Sequence, residues 1–222
     1  MTPHPPANYG RLAKSYKFWE YLVFGRQLRR CREAWWKALL NTQEVLILGD
    51  GDGRFSTFLL ENHPTVKITS LDVSLPMLNQ AEKRREKRNI QENRVTTILS
   101  DVNSWDYGNK KFDAVVTHFF MDSFETLEMK TIATTIKNVL KPGRQLHVSD
   151  FHIPKDPKFG RWRARLTLGF LYPIFRVITN LRTRSLVDYK SILISQGFGL
   201  IKETYFSQNV LVAQIYQYEG EP

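Results

Sequence analysis

The chain carries a single cysteine, Cys31, in 222 residues. One thiol excludes an intrachain disulfide and a cysteine-built metal cluster, and it suits a reducing compartment, so a cytoplasmic protein is expected. Long apolar runs are absent too. The most apolar stretch, Leu166–Ile178, has about 13 residues where a bilayer span needs about 20, so no transmembrane helix is expected there. The opening MTPHPPANYG lacks the basic region and apolar core of a secretory leader. Acidic residues are outnumbered, 22 Asp and Glu against 32 Lys and Arg, for a net charge of +10. The excess is local: residues 1–43 carry +6 and residues 153–190 carry +7, which leaves −3 for the remainder. Trp19, Trp35, Trp36 and Trp162 lie in those two basic segments. Basic residues interleaved with aromatics suit an anionic partner, whether membrane lipid, nucleic acid or an acidic substrate.

What is present is organised around Val45–Phe55, VLILGDGDGRF. Val45 to Leu48 form an apolar run with no polar alternation, which suits a strand buried on both faces of a parallel sheet. Gly49, Gly51 and Gly53 then permit a sharp turn and close approach to a ligand, and Arg54–Glu61 reads as a helix. Strand, glycine turn and helix open a nucleotide-type site. The spacing departs from GxGxxG, and Asp50 and Asp52 would repel a pyrophosphate while tolerating a sulfonium and an ammonium group. That favours S-adenosylmethionine over NAD.

Downstream segments repeat the alternation. Val66–Asp72 reads as a second strand whose terminal acid can accept from ribose hydroxyls. Ser74 and Pro76 suit the cap and first turn of a helix, which ends in the charge run Lys83–Arg88, expected to be a solvated face. A third strand, Val95–Leu99, ends beside Asp101, placed near the adenine. A fourth, Phe112–Thr117, leads into THFFMD. The helix Glu125–Leu140, the turn Lys141-Pro142-Gly143 and a fifth strand, Gln145–Phe151, follow. Ser185–Ser195 reads as a last helix, and Phe198–Phe206 with Val210–Tyr218 as a closing hairpin.

Over about Tyr9–Tyr216 these motifs (LGDGDG, the acid of SLDVSLPML, SDV, FDAVVTHFFMD and LKPGRQLHVSDF) resemble the class I S-adenosylmethionine-dependent methyltransferases. The resemblance is nearest to the small-molecule group typified by the ubiquinone/menaquinone biosynthesis C-methyltransferases. It implies a Rossmann-like, doubly wound α/β fold with a seven-stranded sheet of order 3-2-1-4-5-7-6. One domain is expected: a helical cap over residues 1–43 lying across the mouth of the site, a cofactor-binding core over 44–152, a helical insertion or lid over 153–186, and the last helix and hairpin over 187–222.

The resemblance also implies S-adenosylmethionine as cofactor, with contacts from Tyr16, Gly49, Asp50, Gly51, Gly53, Asp72, Val73, Met77, Asp101, Val102 and Thr117. Two positions depart from the family. The acid usual two residues before the first glycine is Ile47, for which Asp50 or Asp52 is the candidate replacement. In Ala13-Lys14-Ser15-Tyr16-Lys17 the tyrosine of the family's Ala-x-x-Tyr-Asp is kept while the acid becomes Lys17.

For chemistry, His118 is the first candidate as general base or substrate orienter, with Asp150 and His152 as neighbours and Asp122 after them. A His or Asp at a strand end serves local turn chemistry equally well. The expected reaction is in-line methyl transfer to a hydrophobic small molecule: a quinone precursor, a phenolic or polyene metabolite, or a lipid headgroup. Peripheral contact with an anionic membrane at its inner face would account for the basic flanks. No Asn/Asp-Pro-Pro-Tyr/Phe motif for exocyclic base amines occurs, so a nucleic-acid acceptor ranks lower. The alternatives are an RNA methyltransferase using the basic flanks and a non-catalytic protein that binds the cofactor as a sensor or assembly subunit. An oligomer is left open.

Overall fold

The computed structural model describes residues 26–152, 187–207 and 209–220. The expected contact from Tyr16 and the expected insertion over 153–186 lie outside these residues, as do most of the expected cap and the start of the last helix. In chain order the described elements are α1 (Gln27–Arg32), a 3-10 turn (Trp36–Leu39), β1 (Glu44–Leu48), α2 (Arg54–Asn62), β2 (Lys67–Asp72), α3 (Leu75–Glu86), a 3-10 turn (Glu92–Arg94) and β3 (Val95–Leu99). They continue with β4 (Phe112–His118), a 3-10 turn (Met121–Ser123), α4 (Thr126–Val139), β5 (Leu140–Phe151), α5 (Tyr189–Ser195), β6 (Phe198–Phe206) and β7 (Leu211–Tyr218).

The strands form one seven-stranded sheet of order β3-β2-β1-β4-β5-β7-β6, the order that the family resemblance implies. The first five are mutually parallel, and β7 runs antiparallel between β5 and β6. Successive side chains of β1 alternate between the two faces. Leu46 and Leu48 join Met129, Ile132, Ala133 and Ile136 of α4 and Ile192 and Leu193 of α5. Val45 and Ile47 face Leu39 and the α2 residues Phe55, Leu59 and Leu60. Both faces are covered, so β1 carries no polar side chain in its interior. Each fully buried Leu or Ile contributes roughly 1.5–3 kcal/mol.

Several local expectations change. Ser74 precedes α3 in an extended conformation, yet its hydroxyl forms no cap; the Ser74 amide donates instead to Asp72 Oδ1 at 2.9 Å. The segment Lys141-Pro142-Gly143 is not a turn before the strand: β5 begins at Leu140. A register irregularity opposite Phe112 and Ala114 absorbs it, and Gly143 at φ +72° supplies the left-handed residue such a bulge needs. The run Lys83–Arg88 is only in part a solvated face. Arg84 Nη2 pairs with Asp52 at 2.8 Å, the buried Arg85 donates to Thr97 Oγ1 at 3.1 Å, and Arg88 pairs with Glu61 at 3.2 Å. Of the expected cap, the described residues 26–43 pack on the sheet and on α2: Leu28 and Cys31 of α1 lie against Phe151, Val210, Leu211 and Ala213, and Trp36 meets Phe58 of α2 edge-on at 5.6 Å.

Candidate functional site

The carboxyl ends of β1, β2, β4 and β5 share one edge of the sheet, and the connectivity reverses between β1 and β4, where open α/β sheets bind ligands. Three glycines turn the chain there, with φ +69° at Gly49, +60° at Gly51 and +70° at Gly53. They serve different ends. A Cβ at Gly49 would run into the Phe120 ring, and one at Gly53 would sit 2.6 Å from the Ala81 Cβ of α3. A Cβ at Gly51 would meet nothing within 4 Å among the described residues, so among them the crest of the turn is open while its two feet are packed.

Asp72, at the end of β2, holds that crest: the Gly51 amide donates to its Oδ2 at 2.8 Å and the Ser74 amide to its Oδ1 at 2.9 Å. Burial pushes its carboxyl above the ordinary range, while the amides of Ser74, Gly51 and Val73 pull it back. Each carboxylate oxygen keeps further acceptor capacity, so the residue can both support the turn and accept from a ligand diol.

The loop acids are used inward. Asp52 takes Arg54 Nε at 3.1 Å and Arg84 Nη2 at 2.8 Å, and so ties the turn to α3. Asp50 accepts from Ser70 Oγ on β2 at 2.9 Å; its other oxygen is buried without a hydrogen-bond partner among the described residues. Burial raises the Asp50 carboxyl, against the hydroxyls of Ser56 and Ser70 and the charge of Arg85. Ile47 is 2% exposed within the core, so the usual acid's position offers no polar group.

The other expected cofactor contacts divide by burial. Val73 is exposed and Met77 half-buried where α3 begins. Asp101 is exposed and accepts the Asn103 amide at 2.8 Å. Val102 belongs to the core, which leaves its backbone alone for a ligand. Thr117 is fully buried, with its hydroxyl directed at His147 O across the β4–β5 pair at 3.5 Å.

His118 ends β4 with its ring edge-on to Phe55, centroids 4.4 Å apart, and its Nδ1 is buried without a hydrogen-bond partner among the described residues. Burial holds its proton affinity well below the usual imidazole range, and the charge of Arg32 and the neighbouring His147 lower it further. The residue is a neutral imidazole at pH 7.

Asp150 does not orient His118. Its Oδ2 takes the amides of Met121 at 3.1 Å and Asp122 at 3.2 Å, and its Oδ1 takes that of Phe151 at 2.8 Å. This carboxyl braces the turn after β4. Burial and the nearby Asp122 carboxyl raise it well above the ordinary range, and burial lifts Asp122 to about 6 against the Ser123 hydroxyl. His152 packs on Tyr205 of β6 with centroids 5.0 Å apart, so its ring turns toward β6 while His118 turns toward α2. The structure thus brings Asp122 and Asp150 together and sets the two histidine rings on different neighbours.

The sequence did not show how the two phenylalanines after β4 pack at this edge. Phe119 holds φ +54°, a conformation costing a bulky residue on the order of 1–3 kcal/mol. Its amide donates to Ser149 O at 2.7 Å, its ring tilts on Phe151 at 5.2 Å, and the Arg32 guanidinium lies 4.8 Å from its centroid. Phe120 covers Gly49 and packs on Phe124 at 4.8 Å. The run HFFMD was the available signal for the phenylalanines; nothing in the sequence marked Arg32. No group of His, Cys, Asp and Glu able to hold a metal occurs among the described residues.

Residues 45–143 match the family described as methyltransferase domain. The chain is similar to the demethylmenaquinone methyltransferase of Thermus thermophilus, 31% identical over 140 residues that cover 63% of this chain and 61% of that protein. It is also similar to the mitochondrial 2-methoxy-6-polyprenyl-1,4-benzoquinol methylase of Caenorhabditis elegans, 30% identical over 109 residues that cover 49% and 38%. The chain therefore spans less than two thirds of either relative. Among solved structures, N-methyltransferase NodS from Bradyrhizobium japonicum WM9 in complex with S-adenosyl-L-homocysteine superposes with a TM-score of 0.60 at 14% identity, over 86% of this chain and 87% of that one. That likeness shows the fold.

Proposed function

We infer that this chain, a member of the class I S-adenosylmethionine-dependent methyltransferases by its domain and its fold, transfers a methyl group to a hydrophobic small molecule of quinol or phenol type. The observation that carries the reading is the open crest of the glycine turn held by Asp72. These residues would fit S-adenosylmethionine: Asp72 would accept from the ribose hydroxyls, Val73 and Met77 would flank the base, and the Gly51 backbone would allow close approach. When bound, the cofactor supplies an electrophilic methyl on sulfur. The chain's own share is orientation, because in-line transfer asks for reacting atoms about 3–3.5 Å apart.

Aromatic side chains at the carboxyl ends of β4 and β5 provide flat, apolar surface for a ring-bearing acceptor. His118, held neutral, would take the proton that the acceptor O–H or ring C–H gives up when it is methylated. The names of the quinone-directed relatives support this acceptor class. Among the described residues no helix is long and apolar enough to cross a membrane. A quinol-like acceptor would instead be met at a membrane surface through the basic flanks.

The buried Ile47 favours a second reading, a cofactor-binding protein without turnover. One experiment separates the two: calorimetric titration with S-adenosylmethionine and S-adenosylhomocysteine, paired with mass-spectrometric assay of demethylated quinol and phenol acceptors. Micromolar binding with a methylated product supports the enzyme. Binding without product from any acceptor supports the second reading, and absence of binding removes both.

A further inference from the structure

We propose that Arg85 is a positioning residue for the cofactor-binding turn, its buried guanidinium serving as counter-charge to the Asp50 carboxylate beneath the crest. The proposal deepens the methyl-transfer reading and rests on it for the ligand, though not for the charge pair itself.

One face of α3 meets the glycine turn. Ala81, Arg84 and Arg85 stand at i, i+3 and i+4, the spacing that sets helical side chains on one face. Ala81 is the residue that a Cβ on Gly53 would strike. Arg84 donates to Asp52 twice, from Nε to the carbonyl at 2.9 Å and from Nη2 to the carboxylate at 2.8 Å. Arg85 turns inward, 8% exposed, and its Nη2 donates to Thr97 Oγ1 of β3 at 3.1 Å.

The sheet carries Arg85 to Asp50. Thr97 is the register partner of Ser70 in the parallel β2–β3 pair. These two residues stand two places after Val95 and Ile68, which pack on the α2 side with Ile47, so both hydroxyls lie on that face. Ser70 Oγ donates to Asp50 Oδ2 at 2.9 Å. The carboxylate and the guanidinium are thus held by adjacent hydroxyls of one row. Each keeps one buried atom, Asp50 Oδ1 and Arg85 Nη1, without a hydrogen-bond partner among the described residues. A buried charge is costly unless paired, and these two are of opposite sign.

The surroundings make Asp50 depend on that charge. Burial raises its carboxyl, the hydroxyls of Ser56 on α2 and Ser70 on β2 lower it, Arg85 on α3 lowers it, and Asp72 at the end of β2 raises it. Among these groups Arg85 supplies the positive charge. Arg84 and Arg54 are directed at Asp52 instead, at 2.8 and 3.1 Å, and Ile47 of β1 is apolar. As a carboxylate, Asp50 accepts from Ser70 and ties the turn to β2, while Asp52 ties it to α3. Once protonated it becomes a donor as well, and its hold on Ser70 weakens. The backbone that loosens then is Asp50–Gly51, the part of the turn on which close approach of the cofactor depends. Arg85 acts through Asp50 and touches no ligand.

The test is calorimetric titration of the full chain with S-adenosylhomocysteine between about pH 5 and 8, for wild type, Arg85→Met, Arg85→Lys and the double variant Asp50→Asn/Arg85→Met. Urea unfolding of the same proteins and of Asp50→Asn completes a double-mutant cycle. Arg85→Met should lose affinity on acidification with a midpoint about one pH unit or more above that of wild type. Arg85→Lys should recover part of the shift, and the double variant should lose the added pH dependence. In unfolding, Asp50→Asn should cost less in the Arg85→Met background than in wild type, because the charge it removes there is unpaired. Identical pH profiles in wild type and Arg85→Met, or additive losses of stability, would overturn the proposal. If Arg85→Met does not fold alone, recovery of a folded double variant supports the pair and failure to recover overturns it. Non-additive stability in a protein that fails to bind S-adenosylhomocysteine would keep the charge pair and discard the methyl-transfer reading together with the positioning role.

Discussion

The carboxylate of Asp72 accepts the Gly51 amide at 2.8 Å, so the end of β2 fixes the crest of the turn that follows β1. The same carboxylate is the acceptor offered to the ribose. Replacing it removes a charged hydrogen-bond acceptor worth roughly 1.5–3 kcal/mol. Asp72→Ala should therefore weaken S-adenosylmethionine binding about ten- to a hundredfold in calorimetric titration. Unchanged affinity would mean that Asp72 supports the turn without touching the ligand.

Gly51 and Gly53 share a left-handed backbone but differ in surroundings, and alanine at each should behave differently. Gly53→Ala places a Cβ 2.6 Å from Ala81 Cβ and 2.9 Å from its Cα. Overpacking of about 1–3 kcal/mol then adds to a backbone cost of about 1–2 kcal/mol. Gly51→Ala carries the backbone cost alone. Denaturant melts should show the larger loss for Gly53→Ala, whereas titration should show Gly51→Ala losing cofactor affinity out of proportion to its stability. Equal losses of stability would contradict the assignment of one glycine to packing and the other to ligand approach.

The parallel strands and their ends were legible because an apolar run without alternation, followed by a glycine turn or an acid, has few other meanings in a chain of alternating strands and helices, whereas the sheet order was implied by the resemblance of the motifs and not by the pattern. The roles of the acids were not. Asp150 near the end of β5 and Asp122 in the turn after β4 stand where catalytic groups could, and the sequence cannot say that three backbone amides occupy Asp150. Asp52 was a candidate partner for a cationic ligand until α3 placed Arg84 on it. Both assignments depend on contacts about 30 residues apart in sequence. Phe119 was hidden for another reason: a left-handed phenylalanine has no local signature, since its conformation is imposed by Ser149 and Phe151 of the next strand.

Asp113 lies at the opposite end of β4 and makes a prediction about acid stability. Its Oδ2 accepts the amides of Gln43 at 2.9 Å and Glu44 at 3.0 Å, and its Oδ1 meets Lys141 Nζ at 2.9 Å. Burial alone would raise this carboxyl, but the Lys141 ammonium and the two amides outweigh it and hold the group down at about 2. A pKa lower in the folded than in the unfolded chain stabilises the fold above the unfolded value of about 4, and the gain is lost as pH falls toward 2. Asp113→Asn should cost about 2 kcal/mol at neutral pH. In urea melts the difference from wild type should shrink toward zero near pH 2; a constant difference would assign the loss to packing.

His118 carries the last prediction, and its pH dependence distinguishes a buried neutral base from an exposed one. Burial keeps the folded-state ring neutral well below its usual range, so turnover should show no acid limb near pH 6.5, where an ordinary histidine would titrate. Stability should respond instead. The unfolded chain takes up a proton below about pH 6.5 that the folded ring refuses, so this histidine withdraws about 1.4 kcal/mol of stability per pH unit as pH falls. His118→Gln should remove one proton from the pH slope of unfolding. Turnover should fall about 10²- to 10⁴-fold while cofactor affinity holds. Full turnover in the variant would rule out proton transfer at His118, and loss of cofactor affinity would move the residue from the acceptor side of the site to the cofactor side.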